Sequence, residues 1–308
     1  MRIILIGQAP FGAKVLEGLL EKDAEIVAVY TPPDKPQGPL DPLKRTALYK
    51  KIAVFQPNTY KADQVFAAYK DLKPDLAILA FVNRIIPLPY LELPTFDAIC
   101  YHPSFLPRHR GASAINWALI MGDIKTGLTI FWPDAGIDTG PILLQREVEI
   151  GSDDTAGSIY FNHLFPMGVD AIIESVDLIK AGKAPKIRQN EDEATYEPPC
   201  EDQAAGINWN KSDHEIYNLV RGCDPQPGAY THRQGEKIRL YGARLLQDPV
   251  AEQPGTIVQI DSNSIHIAVN GGKLVVGKVH SESTGKVRAA VFASEHSLNV
   301  GERFASAL

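Results

Sequence analysis

Residues 1–30 read MRIILIGQAPFGAKVLEGLLEKDAEIVAVY, and the hydrophobic pattern changes period twice within them. Residues 2–6 form a β-branched, apolar run ended by Gly7, as in a strand buried on both faces of a parallel sheet. From residue 12 to 20 the side chains of Val15, Leu16, Leu19 and Leu20 recur at helical spacing, and residues 25–30 return to strand character. This is a βαβ unit, and it predicts an α/β fold with a Rossmann-like, mostly parallel sheet. A dinucleotide site would place G-x-G-x-x-G at the first turn. Here Gln8-Ala9-Pro10-Phe11 separates Gly7 from Gly12, so a nicotinamide enzyme is not expected and the two glycines read as turn and packing positions.

Outward from this unit, residues 31–42 (TPPDKPQGPLDP) make a Pro/Gly-rich loop that extends neither helix nor strand. Residues 54–55 read as a short strand, 62–72 as a helix and 75–81 (DLAILAF) as a central strand. The apolar loop that follows, Val82-Asn83-Arg84-Ile85-Ile86-Pro87, sits where a flat ligand could lie or a core could pack. Lys44, Arg45, Lys50 and Lys51 form a modest basic cluster, a pattern more often a solvated helix face than a phosphate site.

Residues 100–140 (CYHPSFLPRHRGASAINWALIMGDIKTGLTIFWPDAGIDTG) concentrate the chemistry. His102 ends an apolar strand, Pro103 and Pro107 shape a tight loop, and Arg108, His109 and Arg110 charge it before a helix over 112–121, a plausible anion site. A strand over 128–132 leads to a loop holding Asp134 and Asp138, and 142–148 resumes as a strand. In open α/β sheets chemistry gathers at the carboxyl ends of strands, which makes His102 and Asp138 the first candidates. A neutral His accepts a proton and, once charged, stabilises an oxyanion, while a nearby carboxylate orients it. Ser104 and Cys100 are nucleophile candidates, yet no G-x-S-x-G elbow surrounds Ser104. Asp134 and Asp138, four residues apart in a loop, are a poor signature for a metal.

The rest of the chain frames this stretch. Helices are predicted over 160–164 and 168–179. The tract from 184 to 203, acidic and proline-bearing without apolar periodicity, reads as a linker. After a helix near 213–220, five short strands (229–231, 237–243, 255–260, 264–269 and 273–279) predict a small OB-like β-barrel domain. The expected division is a catalytic domain over 1–185, a linker over 186–204 and a barrel over 205–308. With 308 residues, 44% of them hydrophobic, the chain can bury two cores, and a net charge of −6 announces no polybasic nucleic-acid surface. Three scattered cysteines and no membrane-length apolar run fit a cytoplasmic protein without a structural metal.

The run from His102 to Gly111 (HPSFLPRHRG), with Trp117, Gly122-Asp123, Thr126-Gly127 and Asp138-Thr139-Gly140-Pro141-Ile142, resembles the 10-formyltetrahydrofolate-dependent formyltransferase superfamily. Residues 101–117, Ile130-Phe131-Trp132, Leu143-Leu144-Gln145, Pro33-Asp34-Lys35 and Asp41-Pro42-Leu43 bring it nearest to the amino-terminal hydrolase domain of 10-formyltetrahydrofolate dehydrogenases. The methionyl-tRNA formyltransferases come next. The resemblance implies that His102 polarises the formyl group and stabilises the tetrahedral intermediate, with Asp138 tuning it and assisting proton movement. Phe81, Val82, Ile85, Ile86, Ser104 and Asp134 would border the folate. It implies 10-formyltetrahydrofolate as donor substrate, no tightly bound cofactor, no metal and no membrane partner. Water is the expected acceptor, with transfer to methionyl-tRNA as the alternative and a catalytically weak folate-binding protein as the second.

Two departures bear on this expectation. Most transferases of the family carry Asn two residues before the His, where its amide helps hold the formyl oxygen, and that position is Cys100 here. The dehydrogenase hydrolase domain is similarly apolar there. In those dehydrogenases a carrier domain and an aldehyde dehydrogenase domain follow, and none follows residue 308, so NADP-linked oxidation to CO₂ is not expected of this polypeptide.

Overall fold

The computed structural model describes residues 1–307. In chain order the elements are β1 (Arg2–Gly7), α1 (Ala9–Glu21), β2 (Glu25–Tyr30), α2 (Pro42–Tyr49), β3 (Val54–Phe55), α3 (Asp63–Asp71), β4 (Leu76–Ala80), α4 (Leu88–Glu92) and β5 (Ala98–His102). They continue with α5 (Ala114–Ile120), β6 (Lys125–Phe131), β7 (Ile142–Glu149), α6 (Ala156–Ile159), a π-helical turn over Tyr160–Leu164, α7 (Phe165–Lys180) and α8 (Asp213–Gly222). Last come β8 (Ala229–Arg233), β9 (Glu236–Leu246), β10 (Ile257–Ile260), β11 (Ile265–Val269), β12 (Gly272–Ser281), β13 (Gly285–Arg288) and α9 (Ala289–Glu295).

Seven strands form one sheet in the order β3-β2-β1-β4-β5-β6-β7. The first five run parallel and β6 runs antiparallel to β5. Ile3, Ile4 and Leu5 are fully buried, which is why β1 is an unbroken apolar run rather than an alternating one. Helix α1 begins three residues before the apolar periodicity does, because Pro10 fits its first turn and the side chain of Asp41 accepts from Ala9 N–H at 2.8 Å. At Gly7 a Cβ would lie 2.3 Å from the Ala80 carbonyl oxygen, so the approach of β1 to β4 requires glycine. Strand order reverses between these two strands, and a crevice opens there at their carboxyl ends.

The second sheet is antiparallel, with the path β10-β11-β12-β9-β8 and β13 added to β12. Its two ends are joined by residues 302–305. Thr256 bridges Arg303 and His232 bridges Ala305, with Ile257 N–H donating to Glu302 O at 2.8 Å. This closing segment, β13 and α9 were not foreseen, since each is too short to show a period. Trp209, Ile238, Leu240, Leu274 and Phe292 lie in its core.

Contact density groups Met1–Gly111, Gly127–Val148 and Asn162–Tyr196 into one unit, and Ala112–Thr126, Glu149–Phe161 and the chain from Glu197 on into another. The division is interleaved, unlike the expected cuts at 185 and 204. Helix α5 joins the second unit because Gly222 of α8 packs so tightly on it that an added Cβ would meet Ile120 N at 3.0 Å. Residues 186–196 join the first, where Ile187 pairs with Ile142 and Gln189 is buried.

Candidate active site

His102 is the last residue of β5 and points to the same face of the sheet as Cys100, two positions earlier. Its ring is 6% exposed. Nε2 lies 2.8 Å from the carbonyl oxygen of His109. A carbonyl only accepts, so Nε2 carries the hydrogen, and Nδ1 is left facing Asp138, whose Oδ2 stands 3.5 Å away. That separation is beyond the usual hydrogen-bond range.

Asp138 reaches this position by a route the carboxyl-end rule does not describe. In the antiparallel register His102 faces Thr129 and Cys100 faces Phe131, so β6 leaves toward the start of β5. The loop after it must fold back to bring Asp138 to His102. Asp138 adopts φ 56°, in the left-handed region that costs a non-glycine residue, and its Oδ2 accepts Gly111 N–H at 2.7 Å. At the loop's base a Cβ on Gly140 would lie 1.7 Å from the Trp132 carbonyl oxygen.

The other expected residues separate into those that face a cleft and those that do not. A cleft lies at the carboxyl ends of β1, β2 and β4 and is lined by Gly7, Thr31, Tyr60, Phe81, Val82 and Arg84, among others. Phe81 and Val82 are both part of this lining, and Phe81 holds φ 63° at the strand end. Ile85 is 84% exposed, and Ile86 is buried in a core cluster with Ile4, Tyr69 and Tyr90. Ser104 is fully buried, its hydroxyl donating to Arg108 O at 2.7 Å, so it holds its own loop. Asp134 turns its carboxylate onto Gly136 N–H and the Thr139 hydroxyl. Gln8, Tyr30, Thr31 and Tyr60 also line the cleft and were missed, because Tyr30 reads as an ordinary strand end and the other three as loop residues, with only the shared sheet edge in common.

One arginine of the basic loop is committed within the fold. Arg110 is 1% exposed, and Glu191 takes both of its terminal nitrogens, at 2.9 and 2.7 Å. Lys44, in the basic cluster, is engaged by Asp34 and Gln56. Burial pushes the Cys100 thiol well above the ordinary range, and the Asp138 carboxylate adds to the effect. The thiol is thus held protonated and is a poor nucleophile. Among the described residues no group of three or more His, Cys, Asp or Glu is placed to hold a metal, and no helix is long and apolar enough to cross a membrane.

Comparison with known proteins adds to this geometry. Residues 1–174 match the family described as formyl transferase, and residues 200–297 match the formyl transferase C-terminal domain. The chain is 38% identical over 318 aligned residues to the human mitochondrial 10-formyltetrahydrofolate dehydrogenase, covering 98% of this chain and 34% of that protein. It thus spans about a third of the dehydrogenase's length. It is 34% identical to the methionyl-tRNA formyltransferase of Acetivibrio thermocellus, covering 98% of this chain and 99% of that protein. Among solved structures, HypX from Aquifex aeolicus in complex with tetrahydrofolic acid shares the fold, with a TM-score of 0.72 at 20% identity over 98% of this chain and 48% of that one.

Proposed function

The chain belongs to the formyl transferase family, and from that premise we propose that it removes the formyl group of 10-formyltetrahydrofolate, with water as acceptor and formate and tetrahydrofolate as products. The observation that carries this reading is the His102–Asp138 pair at the end of β5, with Cys100 rather than an amide side chain two residues before the histidine. Asp138 takes a proton from the attacking water as the new C–O bond forms. The imidazole of His102, beside the reacting carbon, stabilises the oxyanion of the tetrahedral intermediate. The C–N10 bond then breaks, its electron pair returns to N10, and N10 takes up the proton. No covalent enzyme intermediate is needed. Phe81 and Val82 supply an apolar wall for the pterin.

Water is favoured over an amine because of what Cys100 lacks. An amide at this position would donate a second hydrogen bond to the formyl oxygen, and losing one such donor costs about 10²–10³ in rate. A thiol engaged with the Tyr101 carbonyl at 3.7 Å does not replace it. Small, abundant water tolerates the looser hold better than a bulky amine that must be oriented.

A second reading, transfer to methionyl-tRNA, is favoured by one surface. On the outer face of the second sheet, register aligns Tyr230, Arg239, His280 and Lys286 in one cross-strand row. Basic and aromatic groups in a row suit a nucleic-acid strand, although Asp202 pairs with both Lys237 and Arg239 and lowers the charge. The two readings separate when the protein is incubated with 10-formyltetrahydrofolate, with and without methionyl-tRNA, while tetrahydrofolate, formate and formylated tRNA are measured separately. Tetrahydrofolate and formate in equal amounts without tRNA support hydrolysis. Turnover only with tRNA, yielding formyl-tRNA, overturns it. Folate binding with no turnover under either condition leaves a binding protein.

A further inference from the structure

We propose that Gln189 is a positioning residue for the His102–Asp138 pair, acting through the main chain of the Asp138 loop, a role that rests on the formyl-removal reading above. It lies in the acidic stretch whose composition suggests a linker, yet it is 4% exposed. Its side-chain nitrogen donates to two carbonyls of the folded-back loop, Asp138 O at 2.8 Å and Gly140 O at 2.7 Å. Its side-chain oxygen accepts from Arg110 Nε at 3.2 Å and Nη2 at 2.8 Å. The amide therefore has one satisfactory orientation, with oxygen toward a group that only donates and nitrogen toward two that only accept.

The loop has need of such a clamp. It reverses direction to reach His102 and holds Asp138 at positive φ, and its internal bonds from Asp134 to Gly136 N–H and the Thr139 hydroxyl leave the Asp138 and Gly140 carbonyls to Gln189. Arg110, which sets the Gln189 oxygen, is fixed by Glu191 and by the Tyr196 hydroxyl at 3.1 Å. The same segment also sets the other side of the ring. Thr195 Oγ1 accepts His109 N–H at 2.8 Å, and the His109 carbonyl is the acceptor that orients His102. Residues 187–196 thus hold both loops between which the imidazole stands, and Gln189 is the member that holds the Asp138 side.

The test compares Gln189→Glu, which keeps the length and the Arg110 contact but turns a carboxylate on the two carbonyls, with Gln189→Met, which keeps volume and removes the donors. Both are made in the full chain, alone and, for Gln189→Met, together with Asp138→Ala. A displacement near an ångström lowers turnover by about ten- to a hundred-fold. The expectation is that loss in kcat with KM for 10-formyltetrahydrofolate unchanged, since the cleft is lined by other residues. In the Asp138→Ala background Gln189→Met should cost less than about two-fold further, because its effect passes through Asp138. Nitrogen-15 imidazole spectra of the ligand-free protein add a readout independent of turnover, in which Gln189→Met and Asp138→Ala should move the same His102 ring signals. If Gln189→Glu does not fold, Gln189→Met carries the comparison. Unchanged kcat and unmoved His102 signals in folded Gln189→Met overturn the proposal, as does a full loss in the Asp138→Ala background. If the wild-type protein removes no formyl group, the functional reading fails, and the His102 spectra alone decide the positioning role.

Discussion

Asp138 stands with Oδ2 3.5 Å from Nδ1 of His102, although the strand that leads to it runs away from that histidine. The pair is assembled by a loop that doubles back, so its geometry depends on groups remote in sequence. This shapes how each part of the site should respond to change.

His102→Ala and Asp138→Ala should each lower formyl removal by about 10²–10⁴-fold, the range for a positioned acid or base. Tetrahydrofolate affinity, read by fluorescence titration, should change little, because the cleft is lined from β1, β2 and β4 rather than by this pair. The double variant should be no slower than the worse single one, since two groups in contact that act on the same transition state are not additive. A loss near the product of the two single losses would mean that they act in separate steps.

Gly140→Ala should impair the site without touching it. The added methyl would meet the Trp132 carbonyl oxygen at 1.7 Å, and backbone cannot yield as a flexible side chain does. Overpacking of this kind costs about 1–3 kcal/mol, visible as a lower melting temperature, and activity should fall further than stability because Asp138 lies two residues away. Native activity in a destabilised Gly140→Ala protein would show that the loop tolerates displacement.

How far these features could be read from the sequence follows physical lines. The opening βαβ unit, His102 and Asp138 announce themselves by local pattern: a buried strand is an unbroken apolar run, and a polar residue among glycines and prolines at a strand end stands out. Gln189 has no such signal, because its order comes from Arg110, 79 residues earlier, and from two main-chain carbonyls. Composition rightly reports that residues 186–196 lack apolar periodicity, but hydrogen bonds hold them instead. Ser104 shows the converse, a polar residue beside His102 whose hydroxyl serves only its own turn.

That order bears on where the chain can be cut. A fragment of residues 1–185 would leave the buried Arg110 without Gln189, Glu191 and Tyr196, and stripping a buried charge of its partners costs about 3–5 kcal/mol. Extension to residue 196 should restore that loss. We propose that the 1–196 fragment folds and binds tetrahydrofolate and that the 1–185 fragment melts several degrees lower. Equal melting temperatures would show that the segment contributes nothing to the first unit.

Cys100 is where the two proposed acceptors should part. Its thiol is held protonated by burial, with the neighbouring Asp138 carboxylate reinforcing the shift. A pKa raised in the folded state means that the thiol stays neutral through the ordinary pH range and that no thiolate limb enters the kcat profile below the usual thiol value. Cys100→Ala should therefore leave hydrolysis within about three-fold of wild type, the change expected for a small, half-buried side chain without a chemical role. Cys100→Asn should add the missing donor to the formyl oxygen. It should raise transfer to an amine more than hydrolysis, because the bulkier nucleophile gains more from a firmly held carbonyl. Measured side by side with water and an amine as acceptors, the ratio of the two rates is the informative quantity. Loss of nearly all activity in Cys100→Ala, or a formyl thioester on Cys100 trapped by mass spectrometry, would overturn the noncovalent mechanism and make this residue the nucleophile.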